Sequence, residues 1–172
     1  MLRHQTIQHL QGLEVAPELT DITTLIPFLK SMKENLNFKY LKIVDDAGYE
    51  SEENYSFIEE NNQISFIKPA NYEISKTRKY KNDISRIENM DYDSESDLFI
   101  CQNGKKLTAN GVKIRKSKTG YESVKTIYIC EDCSNCNYKS QCIKGNNSKI
   151  PLEKRTKKFE TSKNLIVKGK NI

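Results

Sequence analysis

No stretch of this chain approaches the ~18 apolar residues from which a membrane-crossing helix is read. That excludes a helical membrane protein. The N-terminus also lacks the apolar stretch of a secretory signal, so cytoplasmic residence is the default expectation. Apolar side chains are few, 36% against 30% charged, which implies a modest core and a largely solvated chain. The 172 residues suit one domain, or one domain with a sizeable insertion. No internal repeat is visible.

Charge of one sign is scarce at each end. Residues 1–67 hold five Lys/Arg against eleven Asp/Glu, and residues 139–172 hold ten against two. The net charge of +5 therefore joins an acidic front to a basic tail. A basic segment suits phosphate backbones through counterion release and long-range attraction. The plainer reading is a soluble, partly disordered tail.

Thr20 and Asp21 are N-cap types, and Ile22, Leu25, Ile26, Leu29 and Met32 follow with helical spacing. This predicts a helix over about 20–37, kinked near its start by Pro27. Residues 40–45 read as a strand, with Leu41, Ile43 and Val44 as its apolar run. Gly48 permits a tight turn. Ser51 caps a helix over 52–60 whose first-turn glutamates suit the helix dipole. Residues 64–67 form a second strand before Lys68-Pro69. Helix, strand, helix, strand predicts an α/β fold with the two strands as parallel neighbours. Residues 12–15 could end an earlier strand.

After Pro69 the pattern becomes charged and irregular through residue 96. Residues 97–101 look like a strand, residues 105–107 follow an Asn103-Gly104 turn, and residues 112–115 pair with 124–130 around Thr119-Gly120. Residues 151–172 read as a frayed helix or a disordered end. The division expected is 1–69, a first α/β region; 70–150, a Cys-rich insertion; and 151–172, a basic tail.

Five cysteines in a cytosolic chain argue for metal binding before disulfides. CEDCSNCNYKSQC places Cys130, Cys133, Cys136 and Cys142 in a C-x2-C-x2-C-x5-C run, and Cys101 stands alone in FICQNGKKL. A C-x2-C turn lets two thiolates face one ion at the ~2.3 Å Zn–S distance of tetrahedral sites. The favoured set for a structural Zn²⁺ is Cys101, Cys133, Cys136 and Cys142. Cys130 is then a spare, or replaces Cys101. Neighbouring lysines help keep thiolates deprotonated. An iron–sulfur cluster would use a similar run, but basic, hydrophilic surroundings argue against it. Five free thiols are the bland alternative.

The other constellation is Asp45-Asp46 in IVDDAGYESEENY. Strand-end aspartates often only cap a turn. Alternation places Asp46 on the side of Val44, expected to be an apolar layer, with Asp45 opposite. Asp46 also lies nearer the carboxyl end of the strand, where open α/β sheets hold ligands. A Mg²⁺ there would want several oxygen ligands, and two-metal phosphoryl transfer needs carboxylates converging on ions about 3.5–4 Å apart.

These residues carry a resemblance. VDDAGYESEENY, preceded by TLIPFLKSMKENLNFKY and followed by Ile67–Pro69, CQNGKKL and the C-x2-C-x5-C pattern, resembles bacterial insertion-sequence transposases of the DDE class. The likeness is to the subgroup whose RNase H-like catalytic domain carries a cysteine-rich, zinc-ribbon-like insertion, and it covers roughly residues 13–165. In that family a D-x-G-Y-x-S-x-x-N segment holds the second catalytic carboxylate. The resemblance therefore implies a catalytic, Mg²⁺-binding Asp46, with Gly48, Tyr49, Ser51 and Asn54 matching the rest of the motif and Asp45 an incidental neighbour. It implies DNA as partner and strand cleavage and transfer as the parent activity. The family's first aspartate and last glutamate would fall outside residues 1–172, so the expectation is an internal fragment, inactive alone, with an open edge at the Asp46 strand. A dimer or an intact transposase would cover that edge. The alternative is a non-catalytic zinc-binding nucleic-acid module whose contacts include Lys154, Arg155, Lys157 and Lys158.

Overall fold

The computed structural model describes residues 21–145 and 149–162. The expected strand at residues 12–15 and the end of the basic tail lie outside them. The chain is mixed α/β and divides into two compact units, residues 1–70 and 71–172.

In the first unit a 3-10 turn (Asp21–Thr23) leads into α1 (Leu25–Leu36). The helix starts later than its sequence pattern suggested. Pro27 thus falls in the first turn, where a missing N–H costs nothing, and the expected kink has no cause. Asn37 ends α1 in the left-handed conformation. β1 (Lys42–Asp45) and β2 (Ile64–Ile67) pair in parallel, with Val44 opposite Phe66 and Asp45 opposite Ile67. Between them α2 (Glu52–Glu60) is capped by Ser51, whose Oγ accepts the Asn54 N–H at 3.1 Å. Leu25, Ile43, Ile58 and Ile67 form the core, with Leu29, Tyr40, Tyr49 and Tyr55 around it.

That core lies on one face of the β-pair only. Val44 is 75% exposed and Phe66 51%. The expectation that Val44 points into an apolar layer is overturned: the buried side of β1 is that of Ile43 and Asp45. Among the described residues β1 pairs only with β2, and a two-stranded sheet is marginal without further cover.

The second unit begins with α3 (Tyr72–Ser75), α4 (Arg78–Lys81) and a 3-10 turn at Ile87–Asn89. A five-stranded antiparallel meander follows, in the order β3 (Asp91–Asp93), β4 (Leu98–Ile100), β5 (Lys106–Lys116), β6 (Glu122–Cys130) and β7 (Lys158–Thr161). One rung crosses it from Tyr92 to Phe99, Leu107 and Cys130. Phe99 meets the rings of Tyr128 and Phe159 edge-on, each at 5.0 Å. With Met90 these side chains make the core. Asp97, at φ 50°, ends the β3–β4 turn, and its Oδ1 accepts the hydroxyls of Tyr128 at 2.6 Å and Tyr92 at 2.8 Å. Both tyrosines are thereby held protonated, through burial first and then the Asp97 carboxylate.

Two outcomes differ from the sequence pattern. Residues 158–161, expected in a frayed or disordered end, are a strand, because Phe159 alternates into the aromatic core opposite Tyr128. The β5–β6 hairpin is longer than expected. β4 pairs only with residues 106–108 of β5 and β7 only with 126–129 of β6. Between them residues 109–125 project as a two-stranded ribbon. Its return uses Gly120 at φ 90°, a conformation open to residues without a Cβ.

Candidate functional site

In the first unit, Asp46 follows β1 and caps a 3-10 turn, Ala47–Tyr49, its Oδ1 accepting the Gly48 N–H at 2.8 Å. The rest of the motif builds this turn. Tyr49 packs on the core. Ser51 starts α2. Asn54, 1% exposed, donates through its amide to Tyr49 O at 2.8 Å and to Ile22 O at 3.0 Å. It ties the turn after Asp46 to the turn before α1 and so brings a second carboxylate close. A Cβ on Gly48 would lie 2.9 Å from Asp21 Oδ2 and 3.1 Å from Asp46 Oδ1. Gly48 thus leaves room between two carboxylates, one of which would have to shift for a larger residue. From the sequence Asp21 reads as a helix cap, and only the fold places it here.

Asp45 and Asp46 diverge, as alternation requires. Asp46 is exposed. Asp45 is half-buried, its Oδ2 enclosed with no hydrogen-bond partner. Burial, and then the Asp46 charge, push its carboxyl above the ordinary range.

In the second unit Cys101, Cys130, Cys133, Cys136 and Cys142 all line one cavity of about 20 Å³, room for about one water-sized occupant. Cys101 sits in a turn closed by Gly104 N–H to Cys101 O at 2.8 Å. Asn135, at φ 51°, bends the chain between Cys133 and Cys136. Cys142 ends α5 (Lys139–Cys142). The thiols form no disulfide. Among the described residues no group of three or more His, Cys, Asp or Glu side chains is arranged to hold a metal ion. Bare thiols take other partners: Cys130 Sγ donates to Asp132 O at 3.5 Å. Cys130 is the most enclosed, its thiol pushed up to about 12 by burial. Burial also raises Cys142, against the nearby Lys157 charge that lowers it.

Lys157 links the surrounding segments. Its N–H donates to Cys133 Sγ at 3.4 Å, and its ammonium donates to Ser85 O at 2.6 Å and Cys142 O at 3.3 Å. Asp83 adds a tie, accepting from Lys144 at 2.7 Å and from the Ser85 hydroxyl at 2.6 Å. The Lys144 and Ser85 hydrogen bonds hold its carboxyl well below the usual range. The cysteine surroundings are mixed: Lys105, Lys139 and Lys157 line the cavity as expected of a basic setting, while Cys101 and Cys133 pack against the aromatic core.

The basic group Lys154, Arg155, Lys157 and Lys158 does converge, on an open groove of about 600 Å³. Two of its cations are engaged internally. Lys157 is bound as above, and Arg155 donates to Ile150 O and Gly145 O at 2.6 and 2.7 Å. Lys154 and Lys158 remain exposed.

Residues 100–168 match the family model of the transposase DDE domain. The resemblance to DDE-class transposases is thereby shown, on less than half of the chain. The family it resembles is one of transposition on DNA and generally uses a divalent metal. The match covers the cysteine cavity, the long hairpin and β7, and it leaves Asp46 outside. No curated protein and no solved structure gives a significant match. Among the described residues no helix is long and apolar enough to cross a membrane.

Proposed function

We propose that the chain is part of a DDE transposase, in which residues 71–172 are a zinc-held module attached to an RNase H-like region carrying Asp46. The observation behind the module is the gathering of five thiols around one atom-sized cavity. Cys101, Cys133, Cys136 and Cys142, not drawn together into a metal-holding group in the metal-free arrangement, would close on Zn²⁺ when it binds, while Cys130, the most buried and turned to Asp132 O, stays a thiol. Four thiolates around Zn²⁺ leave no open position, so the metal is architectural and supplies folding free energy. The Lys157 ammonium and its N–H to Cys133 Sγ offset the excess negative charge. Asp46 would bind Mg²⁺ from its exposed turn, with Asp21 beside it, and serve strand cleavage and transfer with further carboxylates.

Metal analysis of the purified, reduced chain tests the module. One zinc per chain is expected, lost on Cys142→Ser and kept on Cys130→Ser. A content near zero refutes it, and iron with visible absorbance replaces it by a cluster. Cleavage of transposon-end DNA by this chain in Mg²⁺, abolished by Asp46→Asn, would show that it needs no partner.

A further inference from the structure

The ribbon of residues 109–125 is largely exposed, and its charge is mostly of one sign. Along it stand Lys113, Arg115, Lys116, Lys118 and Lys125, against Glu122 alone. The register sorts them. Lys113 faces Lys125 and Arg115 faces Ser123 on one side of the ribbon. Val112, Ile114 and Lys116 face Thr126, Val124 and Glu122 on the other. On the first side Arg115 and Lys113 both reach Glu160 of β7, at 2.8 and 3.7 Å, and Lys125 donates to Ser162 at 2.7 Å. Two cations thus share one carboxylate, with a third cation directly across the ribbon from Lys113. Lysines directly opposite one another destabilise a hairpin, and a bound polyanion relieves that cost.

We propose that this ribbon is a DNA-binding arm that enters the major groove of a B-form duplex, with Lys113, Arg115, Lys116 and Lys118 on phosphates. A B-DNA major groove is about 12 Å wide and admits a two-stranded ribbon. The deep, narrow major groove of A-form RNA does not. The pairs with Glu160 and Glu122 are surface ion pairs, worth about 0–1 kcal/mol each, and give way to phosphate. The other face of the arm carries Val112 and Ile114, 65% and 64% exposed, beside Lys116. The choice of DNA as the polyanion rests on the transposase reading. The zinc site and Asp46 play no part in it.

The test is fluorescence polarisation of the full chain with a short mixed-sequence DNA duplex, and with double-stranded RNA of equal length, across a salt series. The variant Lys113→Gln/Arg115→Gln/Lys118→Gln is expected to bind more weakly. The slope of log K on log salt should flatten by about 0.9 for each phosphate that is no longer neutralised. The wild type should prefer DNA to RNA. The tip variant Lys116→Gln/Lys118→Gln, wholly on exposed side chains, should show part of the effect and an unchanged circular dichroism spectrum. Unchanged slope and affinity in both variants would overturn the arm. So would equal binding of RNA, or a weakening confined to Lys154→Gln/Lys158→Gln, which would move the phosphate site to the groove. A weakening confined to Val112→Thr/Ile114→Thr would make it an apolar docking surface. The zinc content measured on the same samples separates failure of the arm from failure of the module.

Discussion

The carboxylates of Asp21 and Asp46 flank Gly48 so closely that a Cβ there would stand 2.9 Å from one and 3.1 Å from the other. Gly48→Ala should therefore displace Asp21, the freer and exposed side chain, at a small stability cost of less than about 1 kcal/mol. It should weaken Mn²⁺ binding at the turn, followed by paramagnetic broadening of the Asp46 and Gly48 resonances. Asp46→Asn should abolish that broadening. Broadening that survives Asp46→Asn would remove the metal role from this turn.

Asp45 predicts the opposite behaviour. Its carboxyl titrates above its unfolded value because burial and Asp46 disfavour the charge. The folded state then holds the proton more tightly, so the Asp45 contribution improves as pH falls through the folded pKa and opposes folding at neutral pH. Asp45→Asn should raise the melting temperature at pH 7, and the gain should shrink towards pH 4. A lower melting temperature at pH 7 would show that the charge is used.

Asp83 carries the reverse sign. Its carboxyl is depressed by Lys144 and Ser85, so its stabilisation is present above the ordinary carboxylate pKa and is lost as pH falls through the folded value. Asp83→Asn should destabilise the second unit at pH 7 and cost progressively less below about pH 4. Near-ultraviolet dichroism in urea at several pH values reads this out. A pH-independent difference would contradict the assignment.

Asn54 is buried with both amide bonds made to backbone carbonyls. Asn54→Ala should cost about 2–3 kcal/mol, since Tyr49 O and Ile22 O lose their donor. In the second unit Tyr128→Phe should cost about 1 kcal/mol, as Asp97 keeps the Tyr92 hydroxyl. Phe99→Ala should cost about 3–5 kcal/mol by emptying the centre of the rung. Chemical denaturation gives all three, and a Tyr128→Phe cost as large as that of Phe99→Ala would mean Asp97 holds more than a turn.

Local features were legible without the fold. Ser51 followed by Glu52-Glu53 marks the start of α2 because a cap and a dipole act within one turn. Residues 40–45 and 64–67 read as strands, and a connection long enough for a helix makes them parallel. Thr119-Gly120 marks the hairpin. Pro27 misled because its effect depends on where the helix begins, and Thr24 starts it later than Asp21 would.

What the sequence by itself determined is which residues share a face and which chemistry is on offer: the opposite sides of Asp45 and Asp46, four cysteines at metal spacing with Cys101 apart from them, and a basic stretch after residue 139. Only the tertiary structure decided which face is covered. Val44 looks like core by its side chain and is exposed, Asp45 looks like solvent and is half-buried, and Asp21 comes to Asp46 through a bond made by Asn54. Phe159 turned an apparently loose basic tail into the fifth strand. Alternation fixes relative direction within a strand, whereas burial depends on what packs against it, and those partners are brought in from distant parts of the chain.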